Sequence, residues 1–169
     1  MTLTTEPYVL PLRPAGALLD DTLASLCERV ENLAPFSIAG LTICNPERTH
    51  IVRALFPRLP AFAAAIKDVS LAPPSFGSCV HAVATGQIIT CPDIERDQRF
   101  NASWRQLCLD HGIRSLQSRP VFLPDGSPYA TFVLAYREPR AETDWDVALM
   151  TFAADAAGHA LQSELDRAA

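Results

Sequence analysis

A chain of 169 residues that is 49% hydrophobic and 20% charged can bury one proper core and is too short for several domains. Its formal charge of −5 argues against a nucleic-acid partner, because phosphate binding calls for a basic surface, and no apolar run approaches the roughly 20 residues that span a bilayer, so no membrane partner is expected. The five cysteines, Cys27, Cys44, Cys79, Cys91 and Cys108, are odd in number and form no CxxC pair, and residues 1–14 carry no basic stretch ahead of an apolar one; both point to reduced thiols in a cytoplasmic protein.

In chain order, residues 1–14 hold three prolines and no periodicity, the pattern of an extended arm, and 15–169 form the domain. Leu19, Leu23, Leu26, Val30 and Leu33 recur at steps of four and three, which predicts an amphipathic helix ended by Pro35. Over 36–44 the apolar residues fall on both alternation phases, as in a central strand covered on both faces. A shorter strand over 49–55 pairs with it through Asn45, Pro46 and Glu47. The stretch 57–69 contains an alanine-rich helical turn or two before Pro73 and Pro74 break the chain. Ser78 is placed to cap a short helix that Gly86 ends. A brief strand over 87–91 follows, then an irregular polar stretch over 92–103 and a helix near 103–110 stopped by Gly112. Residues 113–123 and 128–136 are the last two strands, joined by Pro124, Asp125 and Gly126. The final helix, from Thr143 to about Leu165, carries two apolar stripes, so two surfaces must cover it. This order is an α+β domain with an antiparallel sheet between helical layers.

From Ala65 onward the chain resembles the GAF domains of bacterial signalling proteins. The resemblance rests on Gly77-Ser78-Cys79 opening a helix, on 87–94, on Trp104 to Arg114, on Ser118-Arg119-Pro120-Val121, on Asp125-Gly126 and on Phe132 to Arg140. It implies a GAF-like, PAS-related fold with a six-stranded antiparallel sheet. One face of that sheet would carry a ligand cavity walled by the helix at Cys79 and lidded by 92–112. Where such domains usually place glycine after the motif cysteine, this chain has Val80 and then His81, so no ligand transfers from relatives.

The residues expected at that cavity are Phe76, Ser78, Cys79, His81, Arg99, Trp104, Arg105, His111, Arg114 and Gln117. A helix N-terminus at Ser78 and Cys79, arginines and an aromatic suit a small, partly anionic ligand. Four histidines on four elements make no metal-ligand spacing. Two further readings come from the resemblance. Free-methionine-(R)-sulfoxide reductases are GAF proteins similar around Cys79 and Cys108, one thiol attacking the sulfoxide and the other resolving the intermediate. Some haem-binding GAF domains carry an axial ligand about where His111 stands. Against the reductase, the position of a cysteine some ten residues before Cys79 holds Val69, and the acidic Ser-Glu pair is absent. There is no GxSxG elbow and no glycine-rich phosphate loop. The expectation is therefore a regulatory, ligand-sensing module and not an enzyme. It would pair as a homodimer through its terminal helices and pass its state by contact to a downstream signalling protein.

Overall fold

The leucine stripe folds as helix α1, Ala17–Leu33, with Leu19, Leu23, Leu26 and Val30 buried and Leu33, the last of the series, half exposed. The computed structural model describes residues 17–169, and the expected arm over 1–14 lies outside the described residues. A turn at Pro35 leads into β1, Ser37–Cys44, whose eight residues are all buried, as its two-phase pattern requires. β2, Ile51–Leu55, returns antiparallel to it. The side-chain carboxamide oxygen of Asn45 organises the turn by accepting from the Thr49 and His50 amides. Next come α2, Pro60–Ile66, and α3, Ser78–Thr85. Gly77, not Ser78, occupies the N-cap of α3, while Gly86 at φ 71° provides its left-handed stop. β3, Ile89–Cys91, a single 3-10 turn over Ile94–Arg96, and α4, Ala102–Asp110, complete the middle of the chain. Gly112 at φ 74° turns the chain out of α4 into β4, Ser115–Phe122, and β5, Pro128–Tyr136, and α5 runs over Asp144–Ala168.

Among the described residues the sheet has five strands in the order β2-β1-β5-β4-β3, one fewer than the six the resemblance implies. What runs beside β2 is a short stretch with one bridge, His50 to Ser70, plus hydrogen bonds such as Ile51 N–H to the Val69 carbonyl, 2.9 Å. Asp68 at φ 67° bends the backbone on one side of that stretch and Pro73-Pro74 closes it on the other, so no ladder extends.

Side-chain alternation divides the interior in two. On one face Ala39, Leu41, Ile43, Phe132, Leu134 and Tyr136 pack against α1 and α5. On the other, Ile38, Cys44, Leu116, Val133 and Ala135 meet α2, α3 and α4. The sheet between helical layers expected from the element order is therefore what forms. Of the two stripes on α5, Met150, Ala154, Ala157 and Leu161 of one are buried and its first member, Val147, is exposed, whereas on the other Leu149 is buried and Trp145 and Phe152 are half exposed.

The start of α5 is fixed by a capping box. The Thr143 hydroxyl accepts from the Asp146 amide, and the Asp146 carboxylate accepts from the Thr143 amide. That carboxylate, 1% exposed, also accepts the Tyr136 hydroxyl at 2.6 Å and an Arg140 guanidinium N–H at 2.9 Å. The guanidinium lies 3.8 Å above the Tyr136 ring centre. One acid thus ties the end of β5 to the start of α5.

Candidate functional site

The cavity expected between the sheet and the 92–112 segment is filled. Ile94, Phe100, Trp104, Cys108 and Ile113 from that segment join Phe56, Phe62, Cys79, Val80 and the sheet in one apolar cluster. Trp104, only 1% exposed, takes the space above Gly77, where a Cβ would collide with the indole. Its expected role in lining a pocket gives way to a role in the core. Phe62 meets Phe56 edge-on, with ring centres 5.0 Å apart, and the His111 ring at 5.6 Å.

The hydroxyls and arginines expected to face a ligand mostly bind the protein itself. Ser78 pairs with Ser118, Oγ to Oγ at 3.0 Å, and the Thr131 hydroxyl donates to the Cys79 carbonyl at 2.8 Å; together they dock α3 onto β4 and β5. Arg99 grips Asp97 through Nε and Nη2 and donates to the Thr90 carbonyl at 2.6 Å. The Asp97 carboxyl is held down at about 2, chiefly by that guanidinium. Arg105 donates to the Asp97 and Phe100 carbonyls, knitting the loop to α4. Arg114 pairs with Glu95 at 2.9 Å. His111 turns its Nδ1 back to the Leu107 carbonyl, 2.9 Å away, at the end of α4. Phe76 packs half-buried against the same apolar cluster. Gln117 falls on the opposite face, since it sits across from Leu134 of the α1/α5 side, in a recess with Tyr136, Arg140 and Glu142. The anion-binding character read from the sequence is thereby largely neutralised.

Two of the ten expected residues, His81 and Arg99, do come together at an open groove of about 440 Å³ at the rim of the filled core. The groove also takes in Pro73, Pro74, Ser75, Ile89 and Phe100, none of which the sequence placed at a binding site. His81 Nδ1 lies 3.1 Å from the Ser75 hydroxyl, and its ring meets Phe100 edge-on at 5.9 Å. Phe100 in turn stands 5.1 Å from Trp104, so the floor of the groove rests directly on the core tryptophan. The Pro73-Pro74 break and the aromatic before Asn101 were the signals in the sequence.

All five cysteines are free and buried. Burial pushes the Cys79 thiol up to about 11 and the Cys91 thiol to about 12. Cys108 is raised further, by burial first and then by Cys79 and Cys91. Such thiols carry almost no thiolate at neutral pH. Ellman's reagent should therefore react with almost none of the five in the native protein and with all five in denaturant. Rapid native labelling of Cys79 or Cys108 would contradict this. Among the described residues no group of three His, Cys, Asp or Glu side chains could hold a metal ion, and no helix is long and apolar enough to cross a membrane.

With the geometry in place, a family model described as GAF domain matches residues 16–162. The chain belongs to the GAF domain family. No curated protein matches the sequence. Solved structures share the fold at low identity. One is a methyl-accepting chemotaxis protein, residues 122 to 287, at TM-score 0.68 and 17% identity, covering 86% of this chain and 90% of that one. Another is the GAF domain of a two-component sensor histidine kinase from Bacillus halodurans, at TM-score 0.66 and 12% identity, with 89% and 98% covered. A type II free methionine-R-sulfoxide reductase from Thermoplasma acidophilum has TM-score 0.60 and 13% identity, with 89% and 96% covered. Sensor proteins and an enzyme thus share this GAF fold, which alone assigns no activity.

Proposed function

We propose that this GAF domain is a non-catalytic regulatory module of a bacterial signalling system. A small, flat, uncharged ligand would be received in the groove between Pro73-Pro74, His81 and Phe100. The observation that carries the reading is the continuity from groove to core: Phe100 forms the floor and leans on Trp104, and Trp104 packs on Gly77 at the start of α3. A ligand that favours one position of the Phe100 ring favours one packing of α3 on the sheet, and binding shifts the population between packings. Arg99 is already balanced by Asp97, which is why the ligand is uncharged. His81, held at Nδ1 by Ser75, leaves Nε2 for one hydrogen bond. The buried, high-pKa thiols support a binding role over a reductase role.

Titration with benzamide and with benzoate, followed by amide and indole NMR shifts, tests this. Benzamide should perturb Ser75, His81, Arg99 and Phe100 and the Trp104 indole. His81→Ala should weaken it severalfold, and benzoate should bind no better. Saturating benzamide with no shift at these residues would sink the ligand proposal. The filled core would then favour a second reading, a domain that acts only by assembling with other proteins.

A further inference from the structure

The residue least at home in the isolated domain is Phe36. It follows Pro35 in a tight turn closed by the Ser37 amide on the Ala34 carbonyl, 3.1 Å. Its φ is 68°, at the turn position where glycine or asparagine is favoured. Phenylalanine there strains the backbone, and its ring does not repay the strain by burial, being 91% exposed.

The surroundings supply what such a ring could enter. Phe36 forms one wall of a hollow of about 470 Å³ whose other walls are Arg58, Tyr136, Arg137 and Glu138. Arg58 is anchored by one N–H to the Ser37 carbonyl at 2.9 Å, and Arg137 by one to the His111 carbonyl at 3.3 Å. Both guanidiniums are thus held in place at the wall of the hollow, the lining that attracts the face of an aromatic ring. Three residues upstream of Phe36, Leu33 is exposed, and its carbonyl accepts the indole N–H of Trp145 at 2.9 Å, fixing a second aromatic that is 54% exposed. Exposed Phe and Arg at the hollow, with an exposed Trp tied to the carbonyl three residues before Phe36, are the composition of an interface centre.

Knob and hole lie on the same patch, the condition for an isologous contact in which each copy's knob enters the other's hole. The charges agree. Arg58 and Arg137 face Glu138, and Glu31 interacts with Arg58, so the patch is balanced although the chain carries −5. Two copies can face each other there without net repulsion, whereas a strongly charged partner gains nothing. We infer that this patch is a self-association surface, a second copy of the chain placing its Phe36 in the Arg58–Arg137 hollow and receiving this copy's Phe36 in return. The pairing surface is centred on the β1/β5 end of the sheet and takes in Trp145 at the start of α5, but not Phe152 about two turns further along the same stripe. It holds whether or not the groove takes a ligand.

Sedimentation equilibrium of the full chain tests it. Wild type should self-associate. Phe36→Asn, which suits the turn, should weaken association at least tenfold while thermal stability at low concentration is unchanged or raised. Arg58→Glu should weaken it independently. Because the native cysteines are buried, a Glu138→Cys variant should cross-link to itself with a short bismaleimide, and Phe152→Cys should not. A wild type that stays monomeric, association undiminished in Phe36→Asn, or cross-linking at 152 instead of 138 would each overturn the proposal. None of these readouts depends on benzamide, so the two readings fail separately.

Discussion

Asp146→Ala should destabilise the domain by about 3–5 kcal/mol, the range for removing one partner of a buried charge pair. The cause is what remains behind. Without the carboxylate, the Tyr136 hydroxyl and the Arg140 guanidinium lose their partner, and the Thr143 amide and hydroxyl lose their acceptor. Burial alone would raise the Asp146 pKa, but the bonds from Tyr136 and Thr143 and the Arg140 charge outweigh it and hold the group below the usual carboxylate range. A carboxylate depressed in the fold stabilises above its unfolded pKa, and that contribution is lost as pH falls through the folded value. Urea unfolding should therefore show a gap between wild type and variant at pH 7 that narrows in acid. A gap that widens in acid would contradict the assignment. Tyr136→Phe should cost much less, since it leaves the acid its other donors.

The second large effect is at the core. Trp104→Ala should lower stability by about 3–5 kcal/mol, or roughly 9–15 °C in Tm for a domain of this size. The loss combines removed apolar contact with a void between Gly77, Phe100 and the sheet. That void is the space a ligand was expected to occupy. Added indole should restore part of the lost Tm in the variant and leave wild type unmoved. A variant that melts within a few degrees of wild type would show that Trp104 does not fill the space under the sheet.

The fold was largely legible because its elements announce themselves locally. The Leu19 stripe, the two-phase run over 36–44, and the glycines at 86 and 112 each fix a boundary by a physical rule that needs only neighbours in the chain. The site was less legible because it depends on partners. Whether Trp104 lines a cavity or fills it is settled by Gly77, a residue distant in sequence that offers room by lacking a side chain. Whether Arg99, Arg105 and Arg114 face a ligand is settled by Asp97, two backbone carbonyls and Glu95, which sequence order does not pair with them. Gln117 went to the wrong face because β4 is buried nearly throughout, so alternation gives no phase. The Thr143-x-x-Asp146 spacing is a capping-box pattern, but nothing in it announces Tyr136 and Arg140 as partners of the same carboxylate. That the stretch beside β2 makes one bridge and no further strand follows from Asp68 and Pro73-Pro74, and only the prolines are visible as breakers.

Both margins of the sheet are short and partly taken. The start of β2 is bonded to 68–71, and on the three-residue β3 the Thr90 carbonyl already receives Arg99. Edges so shortened offer little template on which a stranger's strand can continue the ladder. Growth into fibrils by end-on-end sheet addition is thereby discouraged, and contacts between molecules are steered to side-chain surfaces, where they stay finite and reversible.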